Sequence, residues 1–149
     1  MSRGPVTIPT DRELRGLTFH RPWPTAILAL GKDVENRPLR PPRHLIGSLV
    51  AVHTGLRFDA AGADKIFRVT GTRVSPADEP PGCIVGVFRL TGFIVASSSP
   101  WFTGPYGLTF VDARAIEPVP CKPKFALGWW RVPEPTARLV LARYRGRRS

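Results

Sequence analysis

Apolar and polar positions change rhythm several times along the chain, and each change marks an expected element. Leu14, Leu17 and Phe19 set among polar neighbours predict a first strand over residues 14–20. It ends at Arg21-Pro22-Trp23-Pro24, where two prolines around a tryptophan form a rigid elbow and Pro24 suits the opening of a helix. The apolar run from Thr25 to Leu30 predicts a short helix over 25–30, with Gly31 as its C-terminal stop. Residues 33–37 then read as a strand. Side chains alternate faces there, so Asp33, Glu35 and Arg37 point one way and Val34 the other.

Downstream the pattern is richer in strands. The proline-rich stretch 38–44 cannot pair as a central strand, because proline lacks the donor. A β-branched run predicts a strand over 47–53. The spacing of Phe58, Ala61, Ile66 and Val69 predicts a helix over 58–69, and Gly71, Pro76, Pro80, Pro81 and Gly82 make 70–82 a loop. Residues 83–96 read as one long strand or a bent pair, with Gly86 and Gly92 marking kinks or bulges. A loop over 97–107 carries Trp101, Phe102 and Tyr106, and the strand over 108–116 after it is ended by Pro118-Val119-Pro120. A last helix is expected over 135–144, with Leu139, Val140 and Tyr144 on one side. Regular βαβ alternation is absent. The expected class is α+β, a compact, curved mixed sheet or small mixed β-barrel of about five to six strands with two or three short helices.

Composition narrows the function classes. A chain of 149 residues suits one domain with a true core, expected over 14–144 between a flexible basic arm at 1–13 and a basic tail at 145–149. No stretch approaches the roughly 18 apolar residues of a membrane span. The start, Met1-Ser2-Arg3-Gly4-Pro5, carries no apolar signal region, so a cytoplasmic protein without membrane association is expected. Cys83 and Cys121 lie far apart with no paired spacing, and His20, His44 and His53 are scattered, which argues against a metal site or a disulfide framework. No cofactor motif is visible.

The formal net charge of +11 is the strongest global signal and favours a polyanionic partner. Its 18 arginines against 4 lysines also fit an arginine-rich coding bias, and five arginines fall in the last dozen residues. Nucleic acid is favoured as the partner over a merely solvated basic surface.

Gly31-Lys32-Asp33-Val34-Glu35-Asn36-Arg37 concentrates a lysine, two carboxylates and an arginine beside the elbow. It reads either as a binding floor or as a surface salt-bridge strip. Lys32 and Glu35 could form a pair suited to proton transfer or a plain structural ion pair. Arg21, Pro22 and Trp23 with Trp101 and Tyr106 could stack an unpaired base, or the tryptophans could plug the core.

Three segments resemble the ASCH domain of the PUA-like superfamily, in its bacterial stand-alone form. They are Leu17-Thr18-Phe19-His20-Arg21-Pro22-Trp23, Gly31 to Arg37, and Gly47-Ser48-Leu49-Val50-Ala51-Val52-His53. Gly82-Cys83-Ile84-Val85-Gly86-Val87, Tyr106-Gly107-Leu108 and Pro118-Val119-Pro120-Cys121 fit the same family, so the resemblance covers residues 14–131. It implies a PUA-like barrel with a charged cleft that binds nucleic acid, RNA ahead of DNA, often through a single or modified base, with a protein partner docked on the barrel face as a further option. In the family pattern glycine-x-lysine-x-x-glutamate-x-arginine, Lys32, Glu35 and Arg37 match, while Gly31 stands next to the lysine instead of two before it. One branch hydrolyses the acetyl amide of acetylcytidine with a lysine and a threonine. That threonine's place is taken here by Glu35, which removes the hydroxyl nucleophile. Another branch is ribonucleolytic through lysine, tyrosine and serine, for which Lys32, Tyr106 and Ser99 are the counterparts. The resemblance thus implies binding through Arg21, Pro22, Trp23, Lys32, Glu35, Arg37, Ser99, Trp101 and Tyr106. A small hydrolase, a nucleoside amidohydrolase or ribonuclease built on Lys32 and Glu35, is the alternative.

Overall fold

Alternating apolar positions build one six-stranded mixed sheet in the computed structural model, which describes residues 13–146. Residues 1–12 of the expected arm and 147–149 of the expected tail lie outside the described residues. In chain order the elements are β1 (Arg15–Arg21), α1 (Trp23–Ala29), β2 (Val34–Arg37), β3 (Leu49–Phe58), α2 (Ala60–Thr70), β4 (Cys83–Ile94), β5 (Tyr106–Pro120), β6 (Trp130–Arg131) and α3 (Glu134–Gly146). The strand order is β2-β5-β4-β3-β1-β6, with β1 and β3 parallel and the other neighbours antiparallel.

The α+β class is as expected, and the sheet is a barrel only loosely, because it does not close. Among the described residues β6 pairs with Arg15 and Gly16 alone, and no other strand covers the rest of that edge of β1. The sheet curls until β2, at its far end, faces this bare edge. There Arg37 donates to the Thr18 carbonyl oxygen at 3.5 Å and lays its guanidinium over the Phe19 ring, 5.0 Å from the centroid. Side chains, not strand pairing, hold the two ends together. The result is a seam between β1 and β2.

Several boundaries differ from expectation for identifiable reasons. β3 runs on to Phe58, because Leu49–Phe58 has both β1 and β4 to pair with. β5 continues through Pro118 and Pro120, where it pairs with β4 only, so the missing proline donors face an open edge. Register shifts flank Gly86 and Gly92, the two expected bulges. α2 starts after Asp59, whose side chain accepts from the Gly62 amide at 2.8 Å as an N-cap. α3 buries Ala137, Val140, Leu141 and Tyr144, an i, i+3, i+4, i+7 stripe that leaves Leu139 exposed. It also absorbs Arg145 and Gly146 from the expected tail.

The core fills both sheet faces. One cluster packs Val140, Leu141 and Tyr144 of α3 against Ala51, Ile84 and Val87. Another gathers Leu17, Phe19, Val50, Phe88 and Leu108 inside the curl. A third, of Ala26, Val34, Ile66, Val74 and Trp101, fixes α1 and the start of β2 beside the seam. Among the described residues no helix is long and apolar enough to cross a membrane.

Candidate functional site

The seam is furnished by the chain on either side of α1. After the helix, the Lys32 amide still donates to the Ala26 carbonyl at 2.9 Å, and Gly31 turns the chain at a φ of 82° that favours glycine. This reversal carries Lys32 inward, where it is 3% exposed. Its ammonium donates to the Val34 carbonyl and, at 2.9 Å, to Glu35 Oε1. Glu35 Oε2 accepts from Arg37 Nε at 3.1 Å. Strand alternation does the rest: Val34 enters the core while Glu35 and Arg37 share a face.

The balance of donors and acceptors here is incomplete. An ammonium has three protons and each carboxylate oxygen two lone pairs. One proton of Lys32 and one lone pair on each Glu35 oxygen stay uncommitted among the described residues. They border a cavity of about 220 Å³ lined by Trp23, Lys32, Glu35 and Asn36, roughly the volume of seven waters. A wider hollow of about 450 Å³ shares Trp23, Glu35 and Asn36 with it. That hollow continues past Thr18, Phe19, His20, Arg37 and Pro38 to Ala126, Leu127 and Gly128.

Trp23 forms a rigid wall. Its Nε1 donates to Asp59 Oδ2 at 3.0 Å, while Asp59 Oδ1 caps α2, so one carboxylate fixes both helix and indole. Gly62 completes the fit, since a Cβ there would stand 2.7 Å from Trp23 Cζ2. The Lys32 ammonium lies 5.4 Å from the indole centroid, within cation–π range. Asn36 ties the neighbouring loop down: its Nδ2 donates to the Trp101 carbonyl at 2.9 Å and its Oδ1 accepts from the Thr103 and Gly104 amides.

The other expected site residues are placed elsewhere. The Arg21 guanidinium is buried and donates to the carbonyls of Leu56, Pro76 and Glu79 at 2.9–3.1 Å, so it braces a loop and is not a wall of the cleft. Pro22 caps α1 through its carbonyl, which accepts from the Thr25 amide at 3.1 Å. Trp101 is 4% exposed and packs with Val34 and Ile66, a core plug and not a stacking surface. The Ser99 hydroxyl donates to Asp33 Oδ1 at 2.7 Å. Tyr106 stands opposite Arg37 in the register, yet its ring meets Phe93 and the Arg40 guanidinium. Lys32, Tyr106 and Ser99 are therefore not brought together around the cleft.

Two further buried titratable groups, on either side of β1, were not foreseen as such. Glu79 Oε2 accepts from the Thr25 amide at 2.9 Å and from the Thr25 hydroxyl. Burial raises the Glu79 carboxyl above its ordinary range, a push larger than the opposing effects of Thr25 and Arg21. Thr18 accepts from Trp130 Nε1 at 3.2 Å and meets His53 Nδ1 at 3.0 Å, while His53 Nε2 meets the Cys121 carbonyl at 2.7 Å. A carbonyl can only accept, so Nε2 carries the proton and Nδ1 accepts from Thr18. Burial holds His53 below its ordinary value, outweighing the Cys121 bond. Among the described residues no group of three or more His, Cys, Asp or Glu side chains is placed to hold a metal ion.

Asn36 and Asp59 are the cleft-shaping residues that sequence reasoning missed. Asp59 had a usable signal, an acidic residue opening Ala60-Ala61-Gly62 at a helix start. The stretch 126–128 had none.

No protein-family model matches the chain, and no curated protein matches it. Among solved structures, the ASCH protein of Zymomonas mobilis is similar over 88% of this chain and 95% of its own, with a TM-score of 0.56 at 11% identity. A serine-to-alanine mutant of that protein is similar over 89% and 96%, with a TM-score of 0.53 at 11% identity. What such low identity shares is the fold: the seam and its charged cleft are set in an ASCH-like α+β fold.

Proposed function

We propose that the chain binds nucleic acid, RNA in preference to DNA, by admitting an unpaired base to the seam between β1 and β2. The observation that carries this reading is the half-satisfied Lys32–Glu35–Arg37 chain beneath the fixed Trp23 indole. A base edge sets acceptors beside donors, the complement of a spare ammonium proton beside spare carboxylate lone pairs. Lys32 would donate to a ring nitrogen or carbonyl oxygen of the base and Glu35 accept from an exocyclic amino group. Trp23 would stack, and Arg37 would reach toward phosphate. The net charge of +11 would draw the polyanion in from a distance, and the PUA-like fold supports RNA.

Hydrolysis by Lys32 and Glu35 is the weaker reading, because the Ser99 hydroxyl is bound to Asp33 and the Tyr106 ring is engaged outside the cleft. The test is fluorescence anisotropy with labelled single-stranded RNA, combined with product analysis of the same mixtures. Trp23→Ala is expected to weaken binding about five- to a hundred-fold, the range of one base–aromatic stack, with the RNA recovered intact. Unchanged affinity in Trp23→Ala, Lys32→Ala and Glu35→Gln would overturn the cleft reading.

A further inference from the structure

The loop between β5 and β6 separates two hollows. On one side Ala126, Leu127 and Gly128 form the far wall of the cleft that begins at Trp23 and Glu35. On the other, Lys122, Pro123, Lys124, Phe125, Arg131 and Pro133 line a second groove of about 430 Å³ floored by Trp130. The loop's two large apolar side chains are bare, Phe125 at 80% and Leu127 at 91% exposed. A solvent-facing phenylalanine and leucine three positions or fewer apart bury nothing for the fold, and their exposure costs hydrophobic stabilisation that packing would recover.

Charge indicates what would cover them. From Pro118 to Pro133 the sequence holds three cations, Lys122, Lys124 and Arg131, and no acidic residue. All three are exposed, and among the described residues none of the three side chains has an ion-pair or hydrogen-bond partner. An apolar protein surface would meet uncompensated charge at this groove. A nucleic-acid strand offers phosphates for the cations and π-faces for Phe125.

We infer that this loop is a ridge across which a single strand continues from the cleft. The nucleotide next to the one in the cleft would stack on Phe125, and its phosphates would lie against Lys122, Lys124 and Arg131. The inference rests on the cleft reading and sharpens it: the ligand is single-stranded and at least two nucleotides long. A duplex keeps its bases stacked on one another, so it could neither fill a cavity of about 220 Å³ with one base nor present a face to Phe125.

The experiment measures Kd by anisotropy for labelled tetramers of oligo(A), oligo(C) and oligo(U), and by competition for the matching mononucleotides and an RNA duplex. The wild type is compared with Phe125→Ala, with Lys122→Ala/Lys124→Ala, and with Glu35→Gln. The expected result has four parts. The wild type prefers its best tetramer to the mononucleotide and to the duplex. Phe125→Ala weakens the tetramer about tenfold, within the range of one base–aromatic stack, and leaves the mononucleotide unchanged. The double lysine variant lowers the salt slope of tetramer binding by about 1.4, at roughly 0.7 per phosphate on a single strand. Glu35→Gln weakens tetramer and mononucleotide alike. A tetramer affinity untouched by both loop variants but lowered by Glu35→Gln overturns the ridge and leaves the cleft standing. Loss in the loop variants with none in Glu35→Gln overturns the cleft, and with it a strand continuing from it. Duplex binding as tight as tetramer binding overturns the single-strand assignment. Because Phe125, Lys122 and Lys124 are exposed, unaltered melting of these variants would separate a binding effect from a folding one.

Discussion

Two clusters of cation and carboxylate stand at opposite ends of α1, and they use the same residue types for different ends. At the N-terminal end Arg21 gives its guanidinium to three main-chain carbonyls, and Glu79 takes two bonds from Thr25. Both are buried. At the C-terminal end Lys32, Glu35 and Arg37 join in a row along an open seam, with one proton and two lone pairs uncommitted among the described residues. The first cluster is turned onto the protein's own backbone and holds a loop to the sheet, and the atoms it leaves over, Arg21 Nε and Glu79 Oε1, are buried without a partner among the described residues. The second has kept capacity beside a cavity. Charge type does not tell such clusters apart; whether the unused hydrogen-bonding atoms border a cavity or are buried does.

The sharpest way to break the comparison is Arg21→Ala. Three carbonyls that face the guanidinium would be left to find other donors, at a cost of about 3–5 kcal/mol by analogy with removal of one partner from a buried charged pair. For a domain of this size that lowers the melting temperature by about ten degrees, with RNA affinity of the folded fraction unchanged. Urea unfolding and low-temperature anisotropy check the two halves separately. An affinity loss as large as that of a cleft variant would merge the two clusters.

The pH profile of stability sharpens it next. The folded Glu79 carboxyl titrates above its ordinary value of about 4.5. Between those two values the unfolded chain releases a proton that the folded chain retains. Stability is therefore full below the ordinary value, falls as pH rises through the raised one, and levels off beyond it. Glu79→Gln keeps an acceptor for Thr25 and should flatten that slope in melting curves recorded across the acid-to-neutral range. His53 acts in the opposite sense. Its folded value is depressed below 6.5, so its contribution is present above 6.5 and is lost as pH falls through the depressed value. His53→Asn should remove this loss at the acid end.

The smallest expected effect tests the wall that the two clusters share. Asp59→Ala removes the α2 cap, costing about 0.5–2 kcal/mol, and frees the Trp23 indole. A few-fold loss of RNA affinity on top of the stability change is expected, read by titrating at a temperature where the variant is fully folded. No loss at all would show that the indole holds its orientation without Asp59.

Much of this molecule is legible in its residues, and the limits are physical. The helix stop at Gly31, the bulges at Gly86 and Gly92 and the shared face of Glu35 and Arg37 follow from local conformational rules. The family resemblance named the fold that the solved structures show. The seam itself was not legible. It arises because β6 covers only two residues of β1, a long-range event with no local signature. Arg21 and Arg37 look alike along the chain, and only the approach of Leu56, Pro76 and Glu79 decides that Arg21 is closed off. Trp101 was ambiguous between plug and platform for the same reason, and Asn36 settles it by tethering its loop. Leu139 was misplaced through a simple choice of stripe, one that the burial of Leu141 resolves.

The central claim is that the seam cluster binds and the sealed cluster does not. Glu35→Gln and Glu79→Gln make the same chemical change in the two clusters, so their affinities for one labelled single-stranded RNA, at one pH and salt, test it most directly. Glu35→Gln should weaken binding about tenfold, the value of one charge-assisted hydrogen bond, and Glu79→Gln should leave it unchanged. Equal effects, or a loss confined to Glu79→Gln, would contradict it.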